Sequence, residues 1–115
     1  MNRYVLVNKM IGYTSKILGY CEGTSYEEFA ADSKLAEACV FNLSQIGELC
    51  RVADEAFEEE HPEIPWRSMN GLRNRIVHDY EGVNLILVWE IITEDLPELQ
   101  KLLKEIDFSS GESGR

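Results

Sequence analysis

Apolar residues recur every three or four positions along almost the whole chain, a spacing that suits packed helices and little else. Between Asp32 and Glu59, the residues Leu35, Cys39, Leu43, Ile46, Cys50, Ala53 and Phe57 fall on one helical face. Leu6, Met10, Tyr13 and Ile17 do the same between Tyr4 and Leu18. Near the C-terminus the stripe is Leu85, Val88, Ile92, Leu96, Leu99, Leu103 and Ile106. No stretch alternates like a half-buried strand, and no internal repeat is present. The pattern predicts an all-α fold, an antiparallel bundle of four or five helices. A chain of 115 residues fits one domain. We assign it residues 1–108 and read 109–115, rich in Ser and Gly, as a disordered C-terminal tail.

The breaks between stripes carry their own chemistry. Gly19 and Gly23 end the first helix. Ser25-Tyr26-Glu27-Glu28 is a capping box that starts a short helix or turn. Asp32 caps a long helix predicted to reach about Glu59. Gly47 sits on that helix's buried stripe, where it costs helix stability, so it implies close approach of a neighbouring element. His61-Pro62-Glu63-Ile64-Pro65 interrupts the chain, with Pro65 in the first turn of the next helix. That helix is expected to end near Gly82. Asn84 caps the last segment, which Pro97 should kink or divide.

Composition narrows the setting. No apolar run is long enough to cross a membrane, and the N-terminus lacks the pattern of a secretory leader. Three cysteines, Cys21, Cys39 and Cys50, fit neither a disulfide framework nor a zinc site. They read as core thiols of a cytoplasmic protein. With 21 acidic and 11 basic residues, the formal net charge is −10. That argues against a protein that coats a polyanion, because such binding usually needs a basic footprint. Yet Arg67, Arg73 and Arg75 stand between Pro65 and Tyr80 with only Asp79 opposing them. This basic island suits contact with a few phosphates in a cleft.

The island contains Leu72-Arg73-Asn74-Arg75-Ile76-Val77-His78-Asp79-Tyr80, with the spacing Arg-x4-His-x-Tyr. Arginine holds its charge while histidine exchanges a proton near neutral pH. A fixed cation beside a proton shuttle is what phosphodiester cleavage uses. On a continuous helix, Trp66, Met69, Leu72, Arg73, Ile76, Val77 and Tyr80 share one face. Arg73 then sits on the apolar stripe and needs a partner, for which Glu48 is the candidate. A purely structural ion pair is the competing reading of Arg73. A second seam holds Arg67, Asn70, Asn74 and His78, either a cleft wall or a solvated face. On a straight helix Arg73 and His78 lie about 140° apart, so joint action demands a distorted helix end or a second chain. A two-fold dimer would supply a shared groove. Trp66 and Trp89 read as core anchors and His61 as a loop residue. No acidic spacing matches a metal site, so no metal or other cofactor is expected.

Several ordered segments resemble the HepT-like branch of the HEPN ribonucleases. They are Pro62-Glu63-Ile64-Pro65-Trp66-Arg67, Met69-Asn70-Gly71-Leu72-Arg73-Asn74 and His78-Asp79-Tyr80-Glu81-Gly82-Val83. Upstream Asn42-Leu43 and Ile46-Gly47-Glu48 belong to the same pattern, as do downstream Val88-Trp89-Glu90 and Glu94-Asp95-Leu96-Pro97. The resemblance runs from about Tyr4 to about Ile106. It implies an endoribonuclease toxin of a type VII-like toxin–antitoxin pair, cleaving RNA by 2′-hydroxyl attack without metal. His78 would be its acid–base group, and Arg73 would stabilise the transition state. Asn74, Arg67 and Asn70 would support or contact the RNA. Tyr80 would accept AMP from a partner nucleotidyltransferase antitoxin of the MntA type. The resemblance also implies a homodimer with the groove at its interface. The alternative is a non-catalytic helical module that binds a nucleotidyltransferase or a nucleotide.

Overall fold

In a computed structural model of the chain, residues 1–78 and 82–109 are described, His78 by its backbone alone. Asn2 opens α1 (Arg3–Cys21) by accepting hydrogen bonds from the Tyr4 and Val5 amides. Gly23, at φ 73°, supplies the left-handed turn that follows. Ser25 and Glu28 then form the predicted capping box of α2 (Tyr26–Ala31). Asp32 caps α3 (Ser33–Val52) through the Leu35 amide at 3.1 Å. Asn84 caps α7 (Leu85–Glu90) through the Leu87 amide at 3.0 Å. These side chains satisfy amide groups that a helix start leaves unpaired.

The fold is an all-α bundle around one core. Helices α1 and α3 pack together, and α8 (Leu96–Lys104) covers α1. Met10 and Ile17, Cys39, Leu43 and Ile46, and Leu96 are fully buried between them. All three cysteines are free and buried. Burial pushes the Cys39 and Cys50 thiols up to about 12, which suits core packing rather than reactivity. No helix among the described residues is long and apolar enough to cross a membrane.

Three boundaries differ from the sequence expectation. The long helix ends at Val52, and α4 (Glu55–Glu60) begins anew with Asp54 as its cap, 2.8 Å from the Phe57 amide. Asp54 is held there by the Arg3 guanidinium at 3.0 and 2.9 Å, and Arg3 stacks 5.0 Å above the Phe57 ring. The last segment is not divided at Pro97. Instead α7 continues through a π-helical turn (Ile91–Asp95) into α8. Proline has no amide hydrogen to return to the preceding turn, and widening that turn keeps the helix going.

The third difference concerns the motif. No single helix runs from Pro65 to Gly82. Pro65 precedes α5 (Trp66–Asn70), Gly71 interrupts, and α6 (Leu72–Ile76) follows. At Val77 the backbone turns extended, with φ −112° and ψ 122°. Strand β1 (Val77–His78) then pairs antiparallel with β2 (Gly82–Val83), Val77 opposite Val83 and His78 opposite Gly82. The Asn84 amide donates to the Ile76 carbonyl at 2.8 Å, which closes the base of this hairpin and satisfies the end of α6. The tail residues 110–115 lie outside the described residues.

Candidate functional site

Gly47 determines where the motif can sit. A Cβ built on it would stand 2.7 Å from the Met69 carbonyl oxygen, so only glycine lets α5 lie this close to α3. This is the close approach that its place on the stripe predicts. Met69, Leu72 and Ile76 bury themselves beneath α5 and α6. Trp66 is also buried, its Nε1 donating to the His61 carbonyl at 2.9 Å. Trp89 packs 5.0 Å from the Phe29 ring, so both tryptophans are core anchors. His61 is a loop residue facing Glu63 at 3.2 Å.

The break at Gly71 changes the phase of the wheel. Arg73, Asn74 and Arg75 are all exposed on α6. Arg73 is therefore not on a buried stripe, and the proposed Glu48–Arg73 pair does not form. Glu48 bonds Arg51 instead, with both carboxylate oxygens 3.1 Å from Arg51 Nε, which holds the Glu48 carboxyl below its usual range. Among the described residues Arg73 has no other ion-pair partner. The angle of a straight helix no longer separates Arg73 from His78 either, because the histidine stands on a strand beyond the helix end. The helix end is thus distorted, one of the two arrangements that the wheel left open.

Arg67 and Asn70 are exposed on α5 and line one hollow of 510 Å³, together with Glu58, Ile64, Pro65, Trp66 and Ser68. Arg75 faces a different groove of 480 Å³, whose walls include Glu63, Glu94, Asp95 and Glu98. The basic island is therefore split between two sides of α5 and α6. His78 stands in β1, and Tyr80 lies outside the described residues. Glu58 and Ser68, which line this hollow, were not among the residues singled out from the sequence.

Charge supplies the sharpest contrast. Arg3 pairs with Asp54 and Glu60, and Arg51 with Glu48. Arg67, Arg73 and Arg75 form no ion pair with any described residue, in a chain with almost twice as many acids as bases. An arginine that makes no ion pair keeps its donors available to an outside anion. Among the described residues no three His, Cys, Asp or Glu side chains gather closely enough to hold a metal ion.

The family model described as "Ribonuclease HepT-like" matches residues 10–106, a span that includes α5, α6 and the hairpin. "Putative RNase TTE0752" of Caldanaerobacter subterraneus subsp. tengcongensis is 39% identical over 101 residues, covering 82% of this chain and 90% of that protein. "Putative RNase MJ1380" of Methanocaldococcus jannaschii is 35% identical over 85 residues, covering 74% and 78%. "Probable ribonuclease HepT" of Thermococcus cleftensis is 37% identical over 75 residues, covering 65% and 68%. No solved structure matches the chain at a significant level.

Proposed function

Because this chain belongs to the HepT-like ribonuclease family, we propose that it is an endoribonuclease, the toxin of a toxin–antitoxin pair. The reading rests most on one observation: the three motif arginines stand exposed and form no ion pair with any described residue of a strongly acidic protein. A few unpaired guanidinium groups hold phosphates locally while the remaining surface repels nucleic acid.

In the proposed reaction His78 takes the proton of a ribose 2′-hydroxyl. The 2′-oxygen attacks the adjacent phosphorus, and the bond to the 5′-oxygen breaks. The products are a 2′,3′-cyclic phosphate and a 5′-hydroxyl; the leaving oxygen takes a proton from water, and the protonated His78 returns its proton to solvent. Arg73 stabilises the charge that gathers on the phosphorane oxygens. Asn74, Arg67 and Asn70 position the strand. The reaction needs no metal.

Regulation is proposed at Tyr80, as acceptor of AMP from an MntA-type nucleotidyltransferase antitoxin. Added phosphate beside the motif would repel and block the RNA backbone. The working form is proposed to be a cytoplasmic homodimer with its groove at the interface, on the family resemblance alone. Incubating the purified chain with total RNA tests the central step. Cleavage that persists in chelator and leaves 2′,3′-cyclic ends supports it. Intact RNA, or loss of activity with chelator, counts against it.

A further inference from the structure

The 510 Å³ hollow beside α5 has the size of a small-molecule site, which runs to about 300–1,000 Å³. The apolar part of its floor comes from Ile64, Pro65 and Trp66, of which Pro65 is exposed and the other two are nearly fully buried. Trp66 is fixed by its bond to the His61 carbonyl. Around that floor stand Glu58, Arg67 and Asn70. None of these three side chains makes a hydrogen bond or ion pair with another described residue, although Glu58 is half-buried. Ser68 donates its hydroxyl to the Pro65 carbonyl and keeps only acceptor capacity. An apolar patch with a cation, an amide and a carboxylate around it matches the parts of a nucleotide.

We propose that this hollow is a base-reading subsite, in which Glu58 selects guanine in the RNA strand and Arg67 holds the phosphate next to it. The inference rests on the ribonuclease reading above. A carboxylate only accepts hydrogen bonds, so it favours the base with adjacent donors on its pairing edge. Guanine alone offers two, N1–H and the N2 amino group, to the two carboxylate oxygens. Adenine and cytosine each place a ring-nitrogen acceptor beside their amino group, and uracil flanks its one donor with carbonyls. Asn70 can donate to the guanine O6 or to the sugar. Single-stranded RNA is read in this way, on the pairing edges of splayed bases.

The two arms of the test separate base from phosphate and subsite from catalysis. The first arm titrates the four nucleoside 5′-monophosphates against the full chain and follows the Trp66 indole and Asn70 amide by NMR. The guanine nucleotide should bind about tenfold tighter than the other three. Glu58→Gln should abolish that preference, and Arg67→Ala should weaken all four alike. The second arm maps RNA ends produced by the wild-type chain and should find guanine enriched at one position flanking the cut. Equal binding of all four nucleotides, or a preference that survives Glu58→Gln, overturns the proposal. Guanine binding without enrichment at mapped ends makes the hollow a site for free nucleotide and overturns the RNA assignment. Absence of any cleavage with guanine selectivity intact counts against the ribonuclease reading instead.

Discussion

Replacing Gly47 by alanine tests the packing that positions the motif. Two effects oppose each other. Alanine is favoured over glycine inside a helix by ~0.8–1 kcal/mol. The new Cβ would meet the Met69 carbonyl oxygen at 2.7 Å, and overpacking a tight contact costs ~1–3 kcal/mol. The obstacle is backbone, which cannot swing aside as a side-chain tip can, so α5 itself must move away from α3. The overpacking term should win, leaving Gly47→Ala up to ~2 kcal/mol less stable than wild type. Gly12 provides the matched control: it lies within α1 and nothing stands within 4 Å of its Cβ position. Gly12→Ala should therefore gain up to ~1 kcal/mol. Urea unfolding followed by circular dichroism resolves both changes, and thermal midpoints should move by ~4 °C per kcal/mol. Opposite signs in the two variants are expected. If Gly47→Ala matches or exceeds the wild type in stability, the close approach does not constrain α5 and the reasoning is refuted.

Other substitutions probe the remaining links. Arg73→Ala should leave stability within ~0.5 kcal/mol, since the side chain is exposed and unpaired among the described residues, yet lower RNA cleavage by ~10²–10³-fold. A large loss of stability would return Arg73 to a structural role. Asp54→Ala removes the cap of α4 and the Arg3 contact, and should cost ~1 kcal/mol in urea unfolding. The Arg3 guanidinium holds the Asp54 carboxyl below its ordinary value of 3.8. Its stabilising contribution is thus complete above pH 3.8 and disappears as pH falls through the lower folded value. The stability difference between wild type and Asp54→Ala should narrow over that acid range, and a constant difference would contradict the pairing. If the proposed regulation holds, incubation with an MntA-type nucleotidyltransferase and ATP should add AMP detectable by mass spectrometry, and Tyr80→Phe should prevent it. Equal modification of the variant would remove Tyr80 as the sole acceptor.

The helix starts were legible because capping is local chemistry. Ser25 with Glu28, Asp32 and Asn84 each act where their side chains predict. Gly47 was legible because a glycine on a buried stripe has few other reasons to be there. Asp54 was hidden, since an acid among glutamates reads as helix surface until Arg3 brings a distant segment to it. Gly71 and the β-branched Ile76-Val77 pair were the available signs that the motif helix stops early. Gly82, at φ 80°, was the corresponding sign on the far strand. Overlooking them put Arg73 on the wrong face and paired it with Glu48. The motif's order along the chain was legible, but the wheel could not carry its geometry past Gly71. The hollow around Glu58 was invisible for another reason. It joins α4, the following loop and α5, and no single helix pattern spans all three.

Cleavage of a defined RNA by the wild-type chain and by His78→Ala is the most direct measurement. General acid–base catalysis contributes ~10²–10⁴-fold, so the variant should lose activity on that scale while its circular dichroism spectrum and unfolding midpoint stay close to wild type. Wild-type products should carry 2′,3′-cyclic phosphate ends. Cleavage by His78→Ala at the wild-type rate would contradict the assignment of His78 as the acid–base group of an RNA endonuclease.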